Sequence, residues 1–256
     1  MTAAPPPVER VPLGRIHVDA YTFEGAIDAI VGLCRKGGGT VVTPNVDHVV
    51  MAETDDALKA AYDGSSLSLL DGKPLQWLAG AMNRPVPGKI SGSDLIRPLV
   101  ARAAREGLSC YFLGGLEGVA QKAADILAAE NPGLKVAGCF SPPFGFEKDP
   151  AQDQAVVDRV RAAAPALVFL ALGAPKQELW GHKHKAALAP AVTLGIGASL
   201  DFIAGTVKRA PRWMSDAGLE WAYRLAQEPG RMYERYLVRD RAFVGIAWRT
   251  YRTHKR

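Results

Sequence analysis

The sequence predicts an α/β fold: a doubly wound, mainly parallel sheet with a basic helical carboxy-terminal appendage. Three observations predict it. Segments of strand and helix character alternate over about 200 residues, as crossover helices joining parallel strands require. Leu167-Val-Phe-Leu-Ala-Leu172 is apolar throughout, the form of a central parallel strand covered on both faces. From Ala210 onward the alternation gives way to short helices rich in Trp, Tyr and Arg.

The chain begins Met1-Thr-Ala-Ala-Pro-Pro-Pro7, without the basic start and apolar core of a signal peptide, and residues 1–14 are expected to be disordered. Ile16 to Val18 is a short strand candidate. Phe23, Ala26, Ile27, Ile30, Val31 and Cys34 then recur at helical spacing until Gly37-Gly38-Gly39 stops them. Thr40-Val-Val42 runs into Thr43-Pro-Asn45, and Leu67-Ser-Leu-Leu70 runs into Asp71-Gly72, with a helix pair between. A right-handed crossover brings the carboxyl ends of both strands to one edge of the sheet. Thr43, Asn45 and Asp71 then share the rim at which open parallel sheets bind ligands.

Leu75, Leu78 and Ala79 mark the next helix, broken by Arg84-Pro-Val-Pro-Gly88. Ser91-Gly-Ser-Asp94 has the form of a capping box and leads into a helix carrying Leu95, Leu99, Val100 and Ala103. Cys110 to Leu113 is a strand ending in Gly114-Gly115, followed by a helix with Val119, Ala123, Ile126 and Leu127. Leu134 to Phe140 is a strand opening into the proline-rich loop Ser141 to Phe146, and Val156, Val157 and Val160 mark a helix. The strand at 167–172 ends in Gly173-Ala-Pro-Lys-Gln-Glu178, and Ala191-Val-Thr-Leu194 ends in Gly195-Ile-Gly197. The resulting sheet is Rossmann-like, spanning 15–209, with the helical appendage at 210–256.

Composition limits the function classes. The 256 residues are 48% hydrophobic, and no run approaches the roughly 20 apolar residues of a membrane span. Cys34, Cys110 and Cys139 are odd in number and lack CxxC spacing, so they read as buried free thiols. The net charge of +5 resides wholly in residues 219–256, which carry nine Lys/Arg against four Asp/Glu. A neutral body with a basic end fits a local anionic partner, a diphosphate or a lipid surface, and not a nucleic-acid coat. In the last helix Phe243, Ile246, Ala247 and Thr250 share one side and Arg241, Arg249, Arg252 and Arg256 the other. Such a helix is expected to lie in a membrane interface.

Glycine endings at Gly114-Gly115, Gly173 and Gly195-Gly197 let the backbone approach a phosphate at helix starts, and equally serve as tight turns. Leu200 stands where a GxGxxG fingerprint needs its third glycine, which disfavours a nicotinamide oxidoreductase. Asp71 reads as a rim base or as a helix cap, and Thr43 and Asn45 as ligands or as a strand end with a helix start. Pro175, Gln177 and Glu178 also suit a helix's first turn. His182 and His184 make a poor metal pair, and Trp213, Trp221 and Tyr223 read as core packing. No two aspartates are separated by one residue, so the DxD element that holds a metal on a nucleotide-sugar diphosphate is missing. Tail arginines would then offset leaving-group charge.

Taken together and in order, several motifs resemble the bacterial WecG/TagA/CpsF glycosyltransferases. They are Thr43-Pro-Asn-Val-Asp-His48, Leu70-Asp-Gly72, Ser91-Gly-Ser-Asp94, Leu172 to Glu178, Gly195 to Phe202, Arg209-Ala-Pro-Arg-Trp213 and Gly218-Leu-Glu-Trp221, with Tyr223-Arg-Leu225 and Glu228-Pro229. The resemblance covers roughly residues 15 to 238. It implies an inverting, metal-independent transfer of a hexose or N-acetylhexosamine from a UDP-sugar. The acceptor it implies is a sugar on a polyprenyl diphosphate, in exopolysaccharide, teichoic acid or capsule synthesis. Asp71 matches the general base, Thr43 and Asn45 line the sugar pocket, and Gln177 lies near the donor. Arg224, Arg231 and Arg235 would complete the site from a membrane-binding appendage. Further expected substrate contacts are Lys89, Gly92, Asp94, Gly114, Gly115, Gly173, Pro175, Lys176 and Gly197, with Thr43 beside Asp71 in the catalytic pair. Lys89 stands where the family often has arginine, keeping the charge without bidentate phosphate recognition. Glu234 stands where a basic residue is expected. No cofactor or metal is expected. The expected location is the cytoplasmic face of the membrane, on an anionic surface, with a homo-oligomer left open. A non-catalytic nucleotide-binding protein docking through its basic tail is the alternative.

Overall fold

A computed structural model describes residues 8–255, with the side chains of Arg212, Asp216 and Arg231 outside the description. In chain order the principal elements begin with β1 (Arg10–Leu13), β2 (Ile16–Asp19), α1 (Phe23–Arg35) and β3 (Gly39–Val42). Then come α2 (Val46–Met51), α3 (Asp56–Asp63), β4 (Leu67–Ser68), α4 (Lys73–Ala81) and α5 (Gly92–Glu106). The middle of the chain forms β5 (Ser109–Gly114), α6 (Val119–Glu130), β6 (Lys135–Phe140), α7 (Pro150–Ala163) and β7 (Leu167–Ala171). It continues with α8 (Lys176–Lys183), α9 (Lys185–Leu188), β8 (Val192–Gly195) and α10 (Ser199–Ala204). The tail holds α11 (Arg212–Asp216), α12 (Glu220–Gln227), α13 (Pro229–Tyr233), a π-helical turn at Glu234–Arg239 and α14 (Phe243–His254).

Six strands form one sheet in the order β4-β3-β8-β7-β5-β6, with every pairing parallel. The predicted α/β architecture is therefore present. Alternation along β7 sends Leu167 and Phe169 into the core under α1, α5, α6 and α10, and Val168 and Leu170 into the core under α7 and α8. Phe112 and Phe169 stack on neighbouring strands with centroids 5.3 Å apart, filling the first of these layers.

Residues 10–13, expected to be frayed, instead form β1, paired antiparallel with β2 around Gly14, whose φ of 63° suits a tight turn. Val11 and Leu13 are fully buried. This hairpin closes the short edge strand: Ser68 N donates to Asp19 Oδ2 at 2.8 Å and Ser68 Oγ donates to the His17 carbonyl at 2.6 Å. Residues 1–7 of the expected disordered segment lie outside the described residues.

The last helix departs from the interfacial expectation. Ile246 and Thr250 are buried, and Phe243, Ala247 and Tyr251 pack with them against the core built by β1, β2, α2 and α4. Thr250 Oγ1 accepts from Gly14 N at 3.1 Å, and Arg249 pairs with Glu53. The apolar side of α14 thus covers the protein's own core, and its solvent side carries Val244 and Trp248 at 74% and 62% exposure. Trp213 and Trp221, expected in the core, are 65% and 43% exposed. Among the described residues no helix is long and apolar enough to cross a membrane.

Candidate functional site

A cavity of about 720 Å³ opens at the carboxyl ends of β3, β4, β7 and β8, with the tail forming its opposite wall. It gathers Thr43, Asn45, Asp71, Lys89, Gly92, Gly173, Gln177 and Gly197 from the body and Arg224 and Arg235 from the tail. The strand order explains the convergence. β3 lies between β4 and β8, so the chain ends at Thr43, Asp71 and Gly195 emerge side by side.

Asp71 does not cap the helix that follows it. The cap position of α4 is Gly72, with φ 115° and no side-chain cap bond, and Pro74 occupies the first turn. Asp71 N donates to the Pro44 carbonyl at 2.9 Å, which fixes the residue at the rim, where it lines the cavity. Burial, with Glu220 reinforcing it, pushes that carboxyl up to about 7, while Lys89 and Arg224 pull the other way. A carboxyl that titrates near neutrality in a cavity is poised to exchange protons.

Thr43 is buried and its hydroxyl donates to the Gly195 carbonyl at 3.3 Å, tying β3 to β8 at the cavity floor. Asn45 caps α2 by accepting from His48 N at 3.3 Å, and still lines the cavity. Gln177 is 3% exposed and spans two elements: its Oε1 accepts from Gly197 N at 3.0 Å and its Nε2 donates to Glu178 Oε1 at 2.8 Å. It thereby holds the loop after β8 against the start of α8. Gly92 is required by close approach, because a Cβ there would lie 2.8 Å from Ile196 Cα.

Six expected contacts fall elsewhere or beyond description. Gly114 and Gly115 lie outside this cavity, at the β5 end; a Cβ on Gly114 would strike the Ala171 carbonyl, so strand packing accounts for that glycine. Pro175 and Lys176 are also outside it, Lys176 pairing with Glu147 at 3.2 Å and covering the Phe144 ring at 4.0 Å. Asp94 lines an adjoining cavity, bonded to Ser91 and paired with Arg209. The side chain of Arg231 lies outside the described residues.

The structure adds residues that had no site role assigned from the sequence, Asp47, His48, Glu178 and Glu220 among them lying inside the matching motifs. Asp47, 3% exposed on α2, pairs with Arg235 at 3.0 Å and Arg239 at 2.5 Å, so two tail guanidiniums converge on one buried carboxylate. Next to it, His48 is driven down to about 4 by burial, then by Arg235, and its Nδ1 lies 2.7 Å from the Tyr62 hydroxyl. Asp240 is pushed up to about 7 by burial and by Asp47. Glu178, 1% exposed, is likewise raised to about 7 by burial. Glu220 and Ser215 reach the wall from the tail, where Lys89 Nζ donates to Ser215 Oγ at 2.7 Å. The sequence signal was slight, because Asp47 stands in the first turn of a helix, where an acid also suits the helix dipole.

Other titratable groups are accounted for structurally. His184 Nε2 sits 3.0 Å from Asp153 Oδ2, and Asp153 also accepts from Trp180 Nε1 at 2.8 Å. The three cysteines are free, and burial raises each thiol above its ordinary value. Among the described residues no group of three His, Cys, Asp or Glu side chains is arranged to hold a metal ion.

The architecture thus presents a carboxyl raised to about 7, floor residues fixed by hydrogen bonds, and guanidiniums supplied from the far end of the chain. The chain is 31% identical over 199 residues to the N-acetylglucosaminyldiphosphoundecaprenol N-acetyl-beta-D-mannosaminyltransferase of Bacillus spizizenii, covering 78% of this chain and 75% of that one. It is 30% identical over 198 residues to the protein of the same name from Bacillus subtilis, covering 77% and 75% respectively. The model of the Glycosyl transferase WecG/TagA/CpsF family matches residues 11–256. With the family model matching nearly the whole chain and both relatives named as transferases, the chain is a glycosyltransferase belonging to the WecG/TagA/CpsF family.

Proposed function

We propose that this enzyme transfers a hexose or N-acetylhexosamine from a UDP-sugar to a sugar carried on a polyprenyl diphosphate, with inversion and without a metal ion, in cell-surface polysaccharide synthesis. The observation that carries the reading is Asp71: a rim carboxyl raised to about 7 in the cavity that also receives Arg224 and Arg235. The names of the two Bacillus relatives supply the acceptor class.

In this scheme Asp71 takes the proton of the acceptor hydroxyl as its oxygen bonds to the anomeric carbon. The bond from that carbon to the diphosphate breaks on the opposite face, and UDP departs with the electron pair. A base of this kind contributes about 10²–10⁴-fold. Arg224, Arg235 and Arg239 offset the charge that develops on the diphosphate, the electrostatic task that a DxD-bound metal performs elsewhere. Thr43, Asn45 and Gln177 hold the pocket floor that receives the donor sugar.

The same reading puts the enzyme on the inner face of the cytoplasmic membrane. Its support is the solvent side of the tail, where Leu237, Val238, Val244 and Trp248 are exposed beside Arg241 and Arg252. The test of the whole reading is a donor screen, UDP-glucose and UDP-N-acetylmannosamine included, against a prenyl-diphosphate N-acetylglucosamine with chelator present. Sugar transfer supports it; transfer only after a divalent cation is restored removes the metal-free mechanism.

A further inference from the structure

A second cavity, about 470 Å³, opens beside the first, and Lys73, Lys89 and Ser215 line both. Its lining is mixed in character. Lys73, Lys89 and Arg209 bring positive charge to it, and Phe23, Pro98 and Ala210 supply apolar surface. We propose that this side cavity is the acceptor subsite, holding the diphosphate on its cations and the first prenyl unit on its apolar wall. The proposal rests on the polyprenyl-diphosphate acceptor reading above.

Charge argues for two separate anion sites. Donor and acceptor each bring a diphosphate, and like charges placed together in a partly buried cavity repel strongly. Arg235 and Arg239 come from the tail on the Asp47 side of the main cavity, whereas Arg209 lines only the side cavity. Lys89 forms the septum, its Nζ 3.7 Å from Asp94, 3.7 Å from Glu220 and hydrogen-bonded to Ser215. An acceptor whose diphosphate meets Arg209 would carry its sugar past Lys89 toward Asp71, whose acidity Lys89 already influences.

Asp94 prepares the site. Burial works against its charge, yet Arg209, Ser91 and Lys89 hold the carboxyl below its usual range, so it stays ionised and fixes the Arg209 guanidinium. A guanidinium has five N–H donors in a planar fork, and one ion pair leaves donors free for phosphate oxygens. With three cations against one carboxylate, the cavity remains net positive. Three residues beyond Ala210 in the chain stands Trp213, an exposed aromatic of the kind that sits at the level of lipid headgroups.

Equilibrium titration of the full chain with farnesyl diphosphate, inorganic pyrophosphate and UDP tests the assignment. On the wild type, farnesyl diphosphate and UDP should bind together without competing. Arg209→Gln should weaken farnesyl diphosphate and pyrophosphate about tenfold while UDP stays within about twofold. Phe23→Ala should weaken farnesyl diphosphate and leave pyrophosphate unchanged, which separates a prenyl pocket from a bare anion site. Thermal melts of both variants check that the fold survives. Competition between farnesyl diphosphate and UDP, or an equal loss of both in Arg209→Gln, would overturn the subsite. Lipid-acceptor turnover with farnesyl diphosphate binding indifferent to Arg209→Gln sinks the subsite and leaves the proposed function standing. The expected binding pattern without any sugar transfer does the reverse.

Discussion

The Nε of Arg235 lies 3.0 Å from Oδ2 of Asp47, so a tail residue is fixed to the start of the first helix after β3. Arg239 reaches the other oxygen of the same carboxylate at 2.5 Å. Asp47 is 3% exposed, which makes the pairing a latch between the tail and the rim. Replacing Asp47 with Asn leaves both guanidiniums facing a neutral amide. Because the Arg235 and Arg239 side chains are 20% and 45% exposed, solvent screens part of the loss. The expected destabilisation is about 1–3 kcal/mol, below the full cost of breaking a buried pair. Limited proteolysis should cut the tail of Asp47→Asn sooner, and the Michaelis constant for donor should rise more than the turnover number falls. An unchanged proteolytic pattern would show that the latch does not hold the tail.

Glu178 offers a pH test independent of activity. Its carboxyl is raised from 4.5 to about 7 because burial disfavours the charged form. The folded state therefore holds the proton more tightly than the unfolded chain. Its stabilising share is full below pH ~4.5, and falls away as pH rises through the folded value of about 7. Glu178→Gln cannot ionise, so the variant should gain on the wild type by about 3 kcal/mol between pH ~4.5 and pH ~7.5. Denaturant melts at the two pH values measure this difference, and a constant offset between the proteins would refute the assignment.

For α14 the structure predicts a fold-stabilising helix. Ile246 is 6% exposed in the core shared with β1 and α2, so Ile246→Ala should cost about 2–5 kcal/mol. A melting temperature within a degree or so of the wild type would mean that the helix is detached in solution.

The solvent side of the same helix is where membrane contact is expected. Val244→Ser with Trp248→Ser should reduce binding to anionic vesicles several-fold and leave the melting temperature unchanged, since both side chains are exposed. Vesicle sedimentation reads the first and a thermal melt the second. Full vesicle binding by the double variant would move the contact to another surface.

Much of the fold was legible because period and punctuation were strong. Leu167 to Leu172 has the form expected of a doubly covered strand, and Thr43 and Asp71 closed consecutive strands of one crossover unit. The strand order was not legible, and it is what brings the Thr43 hydroxyl to the Gly195 carbonyl. Nor could the fate of α14 be read, because an amphipathic helix has the same pattern on lipid as on a protein core. β1 escaped notice because it is four residues long with a central proline, which only its antiparallel partner makes sense of. Gly114 looked like a phosphate turn, since close packing and anion binding ask for the same residue. The Asp47 latch needed coordinates, as its partners come from the far end of the chain.

Everything turns on whether Asp71 removes a proton during transfer, and the pH profile of kcat/KM for sugar transfer measures that most directly. With the carboxyl raised to about 7, wild-type kcat/KM should climb with pH along an acid limb of apparent pKa about 7. Asp71→Asn should lose that limb together with about 10²–10⁴-fold in turnover, while still binding UDP. An Asp71→Asn enzyme that keeps the limb and near-normal turnover would contradict the account.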